Sequence, residues 1–137
     1  MKIVFDTNIL ISAFLTTAGP SQHVFSAALK RHTVILSEYI LKEFSEKLVN
    51  KLEIPRRQVL QAADFLRKKT IILNVPETAK ATFSDKKDIP LLSLLEAAKP
   101  HYFVTGDKKL LALKKHGPTL FLTPRETMEI IEGSPHS

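Results

Sequence analysis

Short apolar runs alternate with amphipathic segments along most of the chain. The runs are typical of buried β-strands, and we predict five of them, at residues 2–5, 33–36, 70–75, 101–105 and 119–122. Segments with the apolar spacing of helices lie between these strands. Because strands that alternate with helices pair in parallel through right-handed crossovers, the pattern predicts an α/β fold with helices on both faces of the sheet.

Helix ends carry the clearest local signals. The predicted helices cover residues 8–15, 21–31, 38–52, 55–69, 91–98 and 108–115, with a last helix after Thr123. Ser37 is a typical N-cap, and Thr123 with Pro124 and Glu126 matches the capping box. Residues 76–87 have the weakest pattern, which predicts a loop or an irregular helix.

Length and composition narrow the class of protein. A chain of 137 residues is long enough for one sizeable core, so we expect a single domain over residues 1–137. The net charge of +6 favours an anionic partner, with nucleic acid ahead of acidic lipid, although a basic surface also serves solubility alone. The chain has no cysteine, so any metal must be bound by oxygen or imidazole ligands.

One segment, residues 7–29, contains no Asp, Glu, Lys or Arg and invites comparison with a membrane span. Gly19 and Pro20 interrupt it, and polar side chains such as Asn8 and His23 are scattered along it, so the segment fails that test. No basic region followed by an apolar stretch marks a signal peptide. We therefore expect a cytoplasmic protein that does not enter a membrane.

Acidic residues recur where the predicted strands end. Asp6 follows the first strand directly, and Asp107 follows the fourth strand after Gly106, where we expect a glycine to permit a tight turn. Asp88 begins the fifth predicted helix, and Glu43 borders the apolar face of the third. Because the carboxyl ends of parallel strands meet at one edge of a sheet, we expect these acids to converge there.

Clustered carboxylates favour a bound cation. Two of them about 4 Å apart repel by roughly 4 kcal/mol at an effective dielectric of 20. Oxygen ligands without thiols or paired histidines select Mg²⁺ or Mn²⁺ over zinc. Such an ion activates water and holds the non-bridging oxygens of a phosphodiester. An acidic metal site on a basic protein therefore indicates a nuclease.

Each acid also has a simpler interpretation. Asp88 is well placed for a helix cap, Asp107 for a turn residue, and Glu43 for a solvated helix acid. Asp85 lies in a loop flanked by lysines and is most simply a solvated acid as well. Asp6 is the hardest to explain in this way, because an acid that ends a buried strand needs partners.

Four stretches, in this order, resemble the toxin-like (VapC-like) PIN-domain ribonucleases of prokaryotic toxin–antitoxin systems. They are IVFDTNILISAF, SEYILKEFSEKL, SDKKDIPLLSLLEAA and YFVTGDKKLLAL, followed by a closing strand and a TPRE helix. The resemblance runs from Ile3 to about Ile131. It implies a three-layer α/β/α fold with a central parallel sheet of about five strands. It also implies a Mg²⁺- or Mn²⁺-dependent endoribonuclease, in which metal-bound water attacks an RNA phosphodiester.

The roles that this resemblance implies attach to individual positions. The catalytic and metal-binding acids correspond to Asp6, Glu43, Asp88 and Asp107. Asn8 corresponds to a polar residue that orients the first acid, and Thr105 to one that flanks the last. The nearby lysines that are candidates for contacts to the RNA backbone are Lys86, Lys87, Lys108 and Lys109. Similar proteins dimerise and are often silenced by an antitoxin, so the resemblance also implies a homodimer and a cognate antitoxin.

The chain departs from this family near the third acid. Related chains often have an Arg-Asp-Pro-Asp-Asp run there, whereas this chain has two lysines between Asp85 and Asp88. The added positive charge makes Asp85 a doubtful additional acid, and it leaves open a non-catalytic PIN-like scaffold that binds RNA or a protein. A haloacid-dehalogenase-like phosphatase is less favoured, because its chemistry needs acids where Asn8 and Leu111 stand.

Overall fold

Six β-strands form one sheet in the computed structural model, which describes residues 1–77 and 86–133 (Lys87 by its backbone alone). The strands are β1 (Lys2–Phe5), β2 (Thr33–Ser37), β3 (Ile71–Leu73), β4 (Tyr102–Val104), β5 (Lys115–His116) and β6 (Thr119–Leu122). Their order across the sheet is β3-β2-β1-β4-β6-β5. Neighbouring strands are parallel except β5 and β6, which pair antiparallel.

Helices cover both faces of this sheet. They are α1 (Thr7–Leu15), α2 (Pro20–Arg31), α3 (Glu38–Asn50), α4 (Arg56–Lys69), α5 (Ile89–Ala98), α6 (Lys108–Leu113) and α7 (Pro124–Glu132). Contacts of α1 with α2 and α3, of α2 with α7, and of α3 with α4 join five helices into one layer. After β3 the chain crosses to the other side of β1, where right-handed crossovers place α5 and α6 on the opposite face. The predicted α/β/α architecture is confirmed.

The core is built on the two central strands. Ile3, Val4 and Phe5 of β1 are fully buried, and β4 contributes the equally buried Phe103 and Val104. Burying a side chain of this size stabilises the fold by about 1.5–3 kcal/mol relative to leaving it exposed. Both strands lie in the middle of the sheet with helices on each face, which is why their sequences are almost continuously apolar.

The strand register brings two chain segments together at the carboxyl edge of the sheet. Phe5 of β1 pairs with Val104 of β4. One residue further on, the Asp6 N–H donates to the Val104 carbonyl at 2.9 Å, and the Thr105 N–H donates to the Leu122 carbonyl at 2.9 Å. The polar residues that follow β1 and β4 are therefore neighbours, as the sequence pattern predicts.

The other predicted elements are present with changes at their ends. All five predicted strands form, although β3 is limited to three residues. The long third helix ends two residues early, at Asn50, and α5 begins at Ile89 because Pro90 fits the first turn of a helix. The predicted caps at Ser37 and Thr123 are both formed. Asp85 lies outside the described residues.

Strand β5, which the sequence did not predict, corrects the prediction of a helix over residues 108–115. Helix α6 ends at Leu113, and Lys114 adopts a positive φ of 65°. Gly117 follows with a φ of 57°, so the chain reverses into a short antiparallel pairing between β5 and β6. A two-residue strand has too little hydrophobic periodicity to be predicted from sequence.

The segment without charged Asp, Glu, Lys or Arg, residues 7–29, is divided between α1 and α2. Within the described ranges, none of the helices combines the length and the apolarity needed to cross a membrane.

Candidate active site

Asp6 lies at the junction of β1 and α1, and both of its carboxylate oxygens are anchored. Oδ1 accepts the Thr7 backbone N–H at 2.8 Å, so Asp6 is the N-cap of α1. Oδ2 accepts the hydroxyl of Thr105 at 2.7 Å. The carboxylate is thus held between the ends of two neighbouring strands.

Thr7 connects Asp6 to the second acid of the site. Its side chain is buried, and its hydroxyl donates to Glu43 Oε1 at 2.5 Å, while its backbone N–H donates to Asp6. Glu43 therefore points toward Asp6 and is not simply a solvated helix acid.

Thr105 makes the corresponding connection to Asp107. Its fully buried hydroxyl donates to Asp6 and also accepts the Asp107 backbone N–H at 3.0 Å. Asp107 is the N-cap of α6, and its Oδ1 accepts the N–H of Lys109 at 2.8 Å. Asp107 is therefore a helix cap, as its simpler interpretation predicts. The capping hydrogen bond also holds its side chain at the exposed rim of the site.

The three acids are close enough to influence one another electrostatically. Burial raises the pKa of the Asp6 carboxyl above its usual value, and the negative charges of Glu43 and Asp107 raise it further. Hydrogen bonds from Thr105 and Thr7 oppose this rise. The surroundings of Asp6 therefore disfavour its ionised form on balance.

Asp88 approaches the same region from α5. It occupies the N-cap position of α5, but its side chain makes no capping hydrogen bond, so capping does not explain it. Burial raises the pKa of the nearby Tyr39, and the carboxylates of Glu43 and Asp88 raise it further. Tyr39 therefore lies near acids of both α3 and α5.

The other predicted side chains lie around this group. Asn8 is exposed, and its Oδ1 accepts Lys47 Nζ at 3.3 Å; a role in orienting Asp6 stays a prediction. Lys86, Lys108 and Lys109 are exposed, as contacts to an RNA backbone require. Asp85 and the side chain of Lys87 are outside the part of the chain that the structure describes.

Gly106 does not have the conformational role that the sequence suggests. Its φ is not positive, and a Cβ placed on it would meet Ile9 Cδ1 at 3.9 Å, an ordinary contact distance. The turn between Thr105 and Asp107 therefore does not depend on glycine.

The donor groups fit a hard divalent cation in chemical type. Carboxylate oxygens such as those of Asp6, Glu43 and Asp107 are the ligands that Mg²⁺ prefers, and a cation would favour the ionised form of Asp6, which burial and, to a lesser extent, the neighbouring negative charges disfavour. Within residues 1–77 and 86–133, however, no three acidic or imidazole side chains lie close enough to form a metal-binding group. Since Mg²⁺ is often bound by one or two carboxylates together with water and substrate phosphate, the arrangement is compatible with such an ion.

Sequence reasoning did not single out Thr7, Tyr39 or Lys47. The position of Thr7, directly after Asp6 and before an apolar run, was a usable signal, because a hydroxyl that is buried there needs a partner. The positions of Tyr39 and Lys47 one turn before and one turn after Glu43 were a second signal, since residues four apart share a helix face.

These features define an α/β domain with an acidic site at the carboxyl edge of a mostly parallel sheet. The PIN domain family model matches residues 2–109, so the chain belongs to the PIN domain family and the resemblance seen in its sequence is confirmed. No curated protein sequence matches the chain.

One solved structure shows how far the likeness in fold extends. It is the crystal structure of VapBC2 from Rickettsia felis bound to a DNA fragment from their promoter. The match has a TM-score of 0.63 and 18% sequence identity, and it covers 88% of this chain and 97% of that chain. At this identity the likeness concerns the fold alone.

Proposed function

We propose that this protein is a Mg²⁺- or Mn²⁺-dependent endoribonuclease that hydrolyses RNA phosphodiesters, and that it is the toxin of a toxin–antitoxin pair. One observation carries the proposal: at the sheet edge of a PIN domain, Thr7 links the carboxylates of Asp6 and Glu43, and Thr105 links the Asp6 carboxylate to the backbone N–H of Asp107. Membership of that family makes nucleic acid the first candidate substrate, and the net charge of +6 suits a polyanion.

In this proposal the acids and the threonines of the site have different roles. Asp6, Glu43, Asp88 and Asp107 would hold the ion. A bound Mg²⁺ or Mn²⁺ would supply the activation of water and the neutralisation of phosphodiester charge. Thr7 and Thr105 hold the carboxylates in place before the substrate arrives, so the site needs little reorganisation during the reaction.

Exposed lysines around the acids would bind the RNA backbone. The described candidates are Lys86, at the start of the turn that leads to Asp88, and Lys108 and Lys109, directly after Asp107. Their positive charges offset the phosphate charges that the acidic site would otherwise repel.

We also infer partners for this chain. A solved structure with the same fold is a VapBC complex with promoter DNA, which supports a cognate antitoxin here, and we propose a homodimer in the cytoplasm.

Induced expression should arrest bacterial growth, and Asp6→Asn should remove the arrest. Light scattering of the purified protein should give twice the monomer mass.

A non-catalytic PIN-like scaffold is the second candidate. The observation that favours it is the lack, in the described ranges, of three acidic or imidazole side chains close enough to bind a metal. The two lysines directly before Asp88 in the sequence point in the same direction, because they add positive charge next to an acid that would hold the cation.

Cleavage of a mixed RNA pool with Mn²⁺, with Mg²⁺ and with EDTA separates the two candidates. We expect metal-dependent cleavage that Asp6→Asn lowers by about 100-fold or more, the loss typical of removing an electrostatic catalytic group. Asp64→Asn is the matched control, because Asp64 is exposed on α4 and pairs with Lys68 at 3.0 Å. Normal cleavage by Asp6→Asn would contradict the nuclease, and RNA binding without cleavage in any metal would establish the scaffold.

A further inference from the structure

An exposed aromatic ring lies beside the acidic site. Tyr39 is in the first turn of α3, two residues after the end of β2, and 41% of it is exposed. It stands one turn before Glu43 on the same face of the helix. A cavity of about 170 Å³ opens there, lined by Tyr39, Lys42, Glu43 and Glu46.

The exposure of Tyr39 distinguishes it from the aromatic residues of the core. Phe44, also on α3, is fully buried and packs edge-on against Phe14 with the ring centroids 5.2 Å apart. Tyr39 leaves a large part of its ring in water at the edge of the sheet where Asp6 lies. The exposed part of the ring is therefore available for contact with a ligand.

Acidic side chains from two elements of the site influence the ring electrostatically. The carboxylates of Glu43 on α3 and Asp88 at the start of α5 both act on Tyr39. Because Tyr39 lies one helical turn before Glu43 and lines the same small cavity, its ring is beside the acids, where a nucleotide adjacent to the bound phosphodiester would lie.

We propose that Tyr39 is a stacking platform for one base of single-stranded RNA, next to the phosphodiester that the acids act on. The inference rests on the proposed ribonuclease function. A base within a duplex is already stacked between its neighbours, so a platform of this kind selects unpaired nucleotides. Every base has a π-face, so the platform tolerates different sequences.

The chain has no tryptophan, so Tyr39→Trp introduces a unique fluorescent probe at this position. In an Asp6→Asn background, which prevents cleavage, we expect a single-stranded RNA oligonucleotide to quench this fluorescence saturably. The same oligonucleotide annealed to its complement should quench it at least fivefold less at equal concentration. Equal quenching by the duplex, or no quenching by the single strand, would overturn the proposal.

Kinetics give a second, independent measurement. Tyr39→Ala should raise KM by about 5- to 150-fold, the range of losing one base–aromatic stack, and leave kcat within about threefold. Tyr39→Phe should keep the wild-type KM, because stacking needs the ring and not the hydroxyl. Phe65→Ala is the matched control, since Phe65 is 40% exposed on α4, and this variant should leave KM unchanged.

The outcomes keep this inference separate from the proposed function. A wild-type KM for Tyr39→Ala overturns the stacking role even if the protein is a ribonuclease, and equal losses in Tyr39→Phe and Tyr39→Ala overturn it in favour of the hydroxyl. If the wild-type protein binds RNA without cutting it, quenching of Tyr39→Trp by single strands still supports the platform, while the nuclease proposal fails.

Discussion

Thr7 and Thr105 are buried polar residues, and each donates its hydroxyl to a carboxylate of the acidic site. A buried hydroxyl without a partner is costly, so both residues are committed to these hydrogen bonds. At the residue scale, the two hydroxyls fix Asp6 through Oδ2 and Glu43 through Oε1, while the other Asp6 oxygen accepts the Thr7 backbone N–H. Two uncharged side chains therefore determine where the charges lie.

Asp6→Asn should stabilise the folded protein at neutral pH when EDTA removes divalent cations. Burial and the charges of Glu43 and Asp107 raise the folded-state pKa of Asp6 above its usual value. The folded state then binds more protons than the unfolded state, so wild-type stability falls as pH rises through the folded pKa. The advantage of the variant should be present above that pKa and shrink toward pH 4.

Urea unfolding of both proteins from pH 4 to pH 8 measures this difference, with Asp64→Asn as a surface control. A variant that is less stable than wild type at neutral pH would show that the hydrogen bonds from Thr7 and Thr105 outweigh the burial of charge. Such a result would contradict the direction of the pKa shift.

The acids of the site were predictable because strand ends are visible in the sequence. Asp6 and Asp107 each follow an apolar run, and parallel strands end at one edge. The bond from Thr7 to Glu43 joins residues 36 positions apart, and no local pattern encodes that pairing. The expectation for Gly106 was wrong, because glycine in a short turn does not by itself require a positive φ.

At the element scale, the fold was predictable where periodicity and end signals coincide. Helix α7 begins with a capping box that is visible in the sequence and formed in the structure. Strand β5 was missed because a two-residue strand has no period of its own and depends on pairing with β6. Long, patterned elements are thus determined locally, and short ones by their neighbours.

Thr123→Ala should lower the free energy of unfolding by about 1 kcal/mol, the usual cost of losing a helix N-cap. The Thr123 hydroxyl accepts the Glu126 N–H at 3.1 Å, and the Glu126 side chain accepts the Thr123 N–H at 2.9 Å. Helix α7 packs on α2, β4 and β6, so fraying of its first turn weakens contacts beyond the helix. For a domain of this size we expect the melting temperature to fall by about 3–5 °C.

Calorimetry measures this change, and Thr123→Ser is the control, because serine keeps the hydroxyl and should remain within about 0.5 kcal/mol of wild type. Equal destabilisation by alanine and serine would assign the effect to the lost methyl group and not to the cap.

At the scale of the whole molecule, the question is whether RNA responds to the total charge of +6 or to particular lysines. Lys108 and Lys109 are exposed directly after Asp107, at the carboxyl edge of the sheet. Lys30 and Arg31 end α2 just before β2, so they lie toward the opposite edge. The two pairs carry the same charge at opposite ends of the strands.

Replacing Lys108 and Lys109 by glutamine should therefore weaken RNA binding more than the same change at Lys30 and Arg31. Each phosphate contact to a single strand contributes about −0.7 to the slope of log K against log salt, so losing two contacts should reduce the slope by about 1.4. The control pair should leave the slope unchanged, although the net charge falls equally. Filter binding of single-stranded RNA measures both the affinity and the salt slope. Salt concentrations from about 50 to 300 mM cover the range in which such slopes are usually determined. An equal loss of RNA affinity in the two double variants would mean that RNA responds to the total charge of the protein. Lys108 and Lys109 would then contribute no more to RNA binding than Lys30 and Arg31.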